Sequence, residues 1–292
     1  MLFCMSAIIL DGKKTRDEAI PELAKRVTEL SFVPSLVIIQ VGERADSTSF
    51  IKSKKSFAEK IGVNTKHIQV PENIKQDELV DIIKKNNEDA SVNGIIVQLP
   101  LPSEIDRDVV IDTILPNKDV DALTAHNVKR WLDGNENAIM PATARGIREL
   151  LRKYKIGLSG KKVVVVGRST LVGKPITAMC LDENATVTVC HSKTPDLAKE
   201  TQSADVVIVA VGKQGLIKAE HVKAGQIIID VGINTVEGKK LDDEIPNKKL
   251  YGDVDFENVV GKVSAITPVP GGVGPMTVLS LFENLLDLCK KV

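Results

Sequence analysis

Apolar positions in the first hundred residues alternate between two periods. Residues 17–30 repeat every three to four positions, as one face of a helix does. Residues 35–41, Ser-Leu-Val-Ile-Ile-Gln-Val, form a short apolar run of the kind a parallel sheet buries on both faces. Helical spacing returns at 46–61 and 77–86. Strand-like runs fall at 67–70 and 94–98, the latter closing on the turn Leu99-Pro100-Leu101-Pro102. This order of strand and helix predicts a parallel sheet covered by helices. A second series opens at residue 161, with strands expected at 162–166, 186–190, 206–211 and 226–231 and helices at 174–182 and 197–202. A helical pattern at 144–155 lies between the two series and is expected to join them. The fold class expected is α/β, in two lobes with a cleft between them. The expected domains are residues 1–142 and 143–274, with a C-terminal helix at 275–292 packing back on the first.

The segment Thr267 to Thr277 combines Pro268, Pro270 and Pro275 with Gly271, Gly272 and Gly274, directly before an amphipathic run at 278–288. Proline fixes φ and lacks a donor, and glycine admits close neighbours, so neither a helix nor a central strand is expected here. A shaped loop beside an α/β sheet reads as part of a ligand site or as a domain connector.

Composition narrows the function classes. The chain has 292 residues, 43% of them hydrophobic, enough for two cores. Lys plus Arg and Asp plus Glu are both 39, and aromatics make up 3%, so neither nucleic acid nor an anionic membrane surface is an expected partner. The cysteines Cys4, Cys180, Cys190 and Cys289 form no C-x-x-C pair, which implies neither a zinc site nor a disulfide framework. The first residues, Met1 to Met5, have no basic lead or cleavage signal, and no apolar run reaches the length of a membrane span. A soluble, cytosolic protein without metal is expected.

Two regions carry candidate chemistry. In the second series, Val163 to Val166 lead into Gly167-Arg168-Ser169-Thr170-Leu171-Val172-Gly173-Lys174-Pro175, a strand, a tight turn and a helix start. Backbone N–H groups at such a helix start face an anion. Ser169 stands where the dinucleotide fingerprint has its middle glycine, so an ordinary turn is the competing reading. After the next strand come Cys190-His191-Ser192-Lys193, without the acidic residue that reads an NAD ribose. Arg168 with Ser169 and Ser192 instead suits a 2′-phosphate, which favours NADP. Cys190 and His191 are strand neighbours pointing to opposite faces, and so are no nucleophile–base pair. In the first series, Phe50 and Lys54 share one face of a helix. A lysine desolvated beside an aromatic can lose its charge and serve as a base, although a surface lysine has the same local sequence. Gln98 ends a strand, and Asp119 and Asp121 lie in a loop; either could be a turn residue only.

Taken in order, these segments resemble one family. The pattern Ser47-x-x-Phe50-x-x-x-Lys54, Gly94 to Pro102, Lys118-Asp119-Val120-Asp121, Gly167-Arg168-Ser169 with Val172-Gly173-Lys174-Pro175, Cys190 to Thr194, Asp230-Val231-Gly232, Gly252-Asp253-Val254 and Pro268 to Thr277 is similar to the bifunctional methylenetetrahydrofolate dehydrogenase/methenyltetrahydrofolate cyclohydrolases. The resemblance runs from Asp11-Gly12-Lys13 to Asn284. It implies a homodimer acting on tetrahydrofolate derivatives with NADP, built of a folate-binding catalytic domain and a Rossmann-like NADP-binding domain. Lys54, Gln98 and Asp121 would be catalytic. Ser47, Phe50, Leu99, Pro100, Pro268, Gly271 and Gly272 would join them around the substrate. Gly167, Arg168, Ser169, Val172, Gly173, His191, Ser192, Gly232, Ile233, Val273 and Gly274 would line the cofactor.

Three positions depart from the family pattern. Phe50 replaces a tyrosine, so hydride transfer is expected to survive and cyclohydrolysis to be the more exposed function; a dehydrogenase with weak or absent cyclohydrolase activity is the alternative. Ala122-Leu123 follow Asp121 where the family has glycine and an aromatic, and a reshaped pterin loop is expected. Pro141-Ala142-Thr143-Ala144 lacks the family's cysteine and second proline, which concerns the domain junction more than the chemistry.

Overall fold

The structure, a computed structural model, describes residues 7–237 and 248–290. Cys4 and the first five residues lie outside them. In chain order the elements are β1 (Ile8–Ile9), α1 (Gly12–Glu18), α2 (Ile20–Thr28), β2 (Ser35–Val41), α3 (Ala45–Ile61), β3 (Asn64–Val70), α4 (Gln76–Glu88), β4 (Gly94–Gln98), α5 (Arg107–Asp112), α6 (Ala125–Leu132) and α7 (Ala142–Lys153). They continue with β5 (Lys162–Val166), α8 (Gly173–Asp182), β6 (Thr186–Cys190), α9 (Leu197–Ser203), β7 (Val206–Val209), β8 (Ile227–Asp230), β9 (Asn234–Glu237), β10 (Lys248–Tyr251), α10 (Phe256–Val259), β11 (Ala265–Ile266) and α11 (Val273–Cys289).

The chain divides into two compact units. One holds Asp17–Ala142 with the chain from Val278 onward, around a parallel sheet in the order β3-β2-β4. Both faces of this sheet are covered, which is why its strands read as apolar runs rather than alternations. Val37, Ile39, Val41, Ile95 and Val97 pack with Leu79 and Ile83 of α4 and with Val110 and Ile111 of α5. The opposite face carries Leu36, Ile38 and Gln40 of β2 beside Gly94, Ile96 and Gln98 of β4. A Cβ at Gly94 would stand 2.6 Å from Val120 and 2.8 Å from Leu285, so the smallest residue admits the C-terminal half of α11 to this face. That half is anchored by a contact between the rings of Phe57 and Phe282, 5.4 Å apart, and by Asn284, whose amide donates to the carbonyls of Val120 and Met140.

The other unit holds Thr143–Thr277 and the described residues before Asp17. Its parallel sheet has the order β1-β11-β8-β7-β5-β6. From β5 the chain steps outward to β6, then returns to the other side of β5 as β7. The loop after β5 therefore opens at a topological switch point, where such sheets bind ligands. Residues 7–16 were expected with the other domain; they belong here because β1 pairs with β11, Ile8 opposite Ala265.

The segment 267–277 departs from its expectation. Its first part is a loop, but α11 begins at Val273 and takes in Gly274 and Pro275. The first four N–H groups of a helix have no intrahelical acceptor, so a proline at its third position sacrifices no bond.

Candidate functional site

Helix α3 places a lysine where packing asks for an apolar residue. Ser47, Ile51, Lys54, Ala58 and Ile61 form one buried stripe along it, and Lys54 is only 7% exposed. Its Nζ donates to Oε1 of Gln98 at 2.9 Å, and the Gln98 amide donates to the carbonyl of Leu99 at 2.9 Å. That second bond turns the oxygen of Gln98 toward the lysine. Burial lowers the Lys54 pKa from its ordinary value, with the charge of Asp121 acting in the opposite sense. Burial raises the pKa of Asp121, opposed by Lys54 and assisted by Asp119. Desolvation thus drives both groups toward neutrality and dominates their mutual attraction. A neutral amine keeps one N–H for Gln98 and a lone pair for an incoming proton.

The loop bearing Asp121 is fixed by its two predecessors in the motif. Lys118, buried, donates to the carbonyls of Asn86, Asn87 and Asp89 at 3.1, 2.7 and 2.8 Å, closing the C-terminus of α4. Asp119, 1% exposed, accepts from the N–H groups of Leu123 and Thr124 and from the Asn127 amide. The backbone pairs with β4 through Ile95 and Asp119. Ala122 follows in the left-handed region, φ 56°, fully buried. The chain thus holds at alanine a conformation that glycine takes without steric cost, and the sequence reading missed this. Ser47 is buried and Phe50 half-buried on α3; Leu99 and Pro100, joined by a cis peptide, follow Gln98. The unit around β2 therefore contains Ser47, Phe50, Lys54, Gln98, Leu99, Pro100 and Asp121.

Pro268, Gly271 and Gly272 belong to the other unit, in the loop between β11 and α11. Lys13 N–H donates to Gly271 O at 2.8 Å, and a Cβ at Gly12 would lie 1.9 Å from Gly272 O. The Asp11-Gly12-Lys13 motif is explained by this contact, a role its sequence alone did not reveal. Pro268 and Val269 also line a cavity of about 520 Å³ at the carboxyl ends of β8 and β11, with Asp230, Tyr251 and Gly252.

The loop after β5 has the shape of an anion cradle. Gly167 takes φ 130°, and a Cβ there would meet Ala210 O at 2.3 Å. Gly173 starts α8 against the carbonyl of Gly167, where a Cβ would stand 2.5 Å away. Ser169 Oγ accepts from the N–H of Val172 and Gly173 at 3.2 and 3.3 Å and retains its own hydrogen for donation. Arg168, Ser169 and Ser192 are exposed, and His191 Nδ1 accepts from Lys193 N–H. Exposed cation and hydroxyls, with no carboxylate at the end of β6, fit a phosphorylated dinucleotide better than an unphosphorylated ribose.

Two aspartates hold the neighbouring turns. Asp230 accepts from the N–H of Gly232, Asp253 and Val254, and Asp253 from those of Val211, Gly212 and Lys213 and from the Asn234 amide. Burial pushes the Asp230 pKa up to about 6 against the pull of its three N–H donors. Gly232 and Ile233 leave β8 at this clamp. Val273 and Gly274 open α11 in the same unit, and Gly274 has Ile233 Cδ1 3.8 Å from where its Cβ would be. Among the described residues no cluster of metal-ligating side chains occurs, and no helix is long and apolar enough to cross a membrane.

Comparison with known proteins also finds two domains, with the boundary between them close to residue 142 but with residues 10–16 and 278–292 assigned by sequence order rather than by packing. Residues 10–121 match the catalytic domain of tetrahydrofolate dehydrogenase/cyclohydrolase, and residues 141–292 its NAD(P)-binding domain. The bifunctional protein FolD of Bacillus subtilis is 46% identical over 290 residues, 98% of this chain and 99% of that one. The crystal structure of the bifunctional FolD methylenetetrahydrofolate dehydrogenase/cyclohydrolase from Campylobacter jejuni aligns with TM-score 0.91 at 41% identity, over 98% and 99% of the two chains. That of the Trypanosoma brucei FolD, complexed with NADP cofactor and inhibitor, aligns with TM-score 0.93 at 36% identity, over 98% of each. With both domain models matched in order along almost the whole chain, this protein belongs to the tetrahydrofolate dehydrogenase/cyclohydrolase family.

Proposed function

We propose that this protein oxidises 5,10-methylenetetrahydrofolate to 5,10-methenyltetrahydrofolate, with hydride passing to NADP, and hydrolyses the methenyl compound to 10-formyltetrahydrofolate. The observation that carries the reading is a buried lysine, shifted toward neutrality, bonded to Gln98 and under the influence of Asp121. A domain that only bound a dinucleotide would have no use for it. The Arg168–Ser169–Ser192 group supports NADP as the acceptor, as does the NADP complex of the Trypanosoma brucei relative.

When bound, NADP supplies the hydride-accepting carbon. Hydride leaves a carbon flanked by two nitrogens, and the cation left behind is delocalised over both, so this step asks the protein chiefly for alignment. Asp121 would orient the pterin by accepting from its amino-pyrimidine edge, and Phe50 would lie against the ring. Hydrolysis asks for proton transfer. Water adds to the methenyl carbon and gives up a proton to the neutral amine of Lys54. The tetrahedral adduct then opens: its bond to N5 breaks, its hydroxyl loses a proton as the C=O forms, N5 takes a proton in its place, and the formyl group stays on N10.

The dehydrogenase-only alternative is not favoured. The lysine–glutamine pair needed for hydrolysis is assembled with Phe50 in place, and the Bacillus subtilis and Campylobacter jejuni relatives are bifunctional proteins. A cytoplasmic homodimer is the accompanying proposal, resting on the family alone. In the Lys54→Met variant, hydrolysis of methenyltetrahydrofolate should fall at least about 100-fold, the scale of a general base, while NADP-dependent oxidation continues. Equal loss of both activities would count against the assigned role.

A further inference from the structure

Gln40 is a polar residue in an otherwise apolar central strand, and it is 1% exposed. Its neighbours along β2 are Ile38, Ile39 and Val41, and nothing in the packing of a covered sheet calls for an amide there. Both its oxygen and its nitrogen are nevertheless bonded. His67 Nε2 lies 3.0 Å from Gln40 Oε1, and Gln40 Nε2 donates to Thr48 Oγ1 at 3.2 Å. Thr48 Oγ1 in turn donates to Arg44 O at 3.1 Å. The directions are mutually consistent: because Gln40 spends its N–H on Thr48, its oxygen must accept, and His67 must carry its hydrogen on Nε2. The result is a strut from β3 through β2 to the first turn of α3.

The residue before α3 is Arg44, which makes no capping bond from its side chain. The helix begun there carries Ser47, Phe50 and Lys54. In register, Gln40 stands directly beside Gln98 on β4. The strut thus ties the helix that supplies the lysine to the strand beside the one that supplies its partner.

We infer that Gln40, acting through Thr48, is a positioning residue for the Lys54–Gln98 pair, and that hydrolysis depends on it more than hydride transfer does. The inference rests on the bifunctional reading above. Hydride transfer requires alignment of two bound reactants, whereas hydrolysis requires the amine at a set distance from a water, so a small shift of α3 falls mainly on the second.

The test uses the full chain with Gln40→Leu, Thr48→Val and the double variant, each assayed for both activities. Expected for Gln40→Leu is about a tenfold fall in hydrolysis kcat with its KM within about twofold, and oxidation within about threefold of the unsubstituted protein. Thr48→Val should give a smaller fall in the same parameter, and the double variant should be no worse than Gln40→Leu alone, as two links of one chain require. Equal losses in the two activities, a change confined to KM, or fully multiplicative losses in the double variant would overturn the inference. Absence of hydrolysis in the unsubstituted protein would instead overturn the functional reading, and this inference with it.

Discussion

At the scale of single residues, two side chains sit where folding alone would not put them. Lys54 replaces an apolar residue in the buried stripe of α3, and its folded pKa is lowered from 10.5. The folded protein therefore binds fewer protons than the unfolded chain between that lowered value and 10.5. Its stability rises with pH through this window, and the lysine's cost is fully present below it. Lys54→Met should remove that slope and raise Tm at neutral pH while abolishing most hydrolysis; urea titrations at pH 7 and pH 9.5 measure it. An unchanged slope would mean that the lysine is not desolvated. Ala122 is the second case. A left-handed alanine costs about 1–2 kcal/mol, and the methyl group recovers about 0.8 kcal/mol by burial. Ala122→Gly should thus raise stability by up to about 1 kcal/mol, with activity retained. Loss of stability would show that the methyl packs better than its strain costs. At Ala122 the backbone turns in the left-handed region, φ 56°.

At the scale of elements, loops are held by a few charged groups whose removal has named consequences. Lys118→Met leaves three helix-end carbonyls without their donor and should cost about 3 kcal/mol, mostly as unsatisfied buried acceptors. It should also raise the KM for folate, because Asp121 follows three residues on. Gly252→Ala would place a Cβ 1.8 Å from Asp230 Oδ2 and break the clamp of the two aspartates. Weaker NADP protection against heating than in the parent chain is the expected result, and unchanged protection would contradict it. These features also mark how far the sequence could be read. The runs at 35–41, 94–98, 162–166 and 186–190 became strands with the same bounds, because each is short, apolar and flanked by breakers. β1 and β11 have two residues each, too few to show a period. The start of α11 was missed because its proline falls in the one turn that tolerates it. Lys54, Gln98 and Asp121 were legible as residue types, but the burial that gives the lysine its chemistry, and the strut through Gln40, depend on tertiary packing.

At the scale of the whole molecule, one chain carries two chemistries with different demands. One unit has a loop shaped to hold an anion at a switch point; the other has a desolvated amine on a covered sheet. Both work in succession on one substrate, and a single time course with methylenetetrahydrofolate and NADP, following NADPH and methenyltetrahydrofolate together against a control for spontaneous hydrolysis, checks this. NADPH should rise while methenyltetrahydrofolate stays low and 10-formyltetrahydrofolate accumulates. Accumulation of methenyltetrahydrofolate in step with NADPH would contradict it and leave the chain a dehydrogenase.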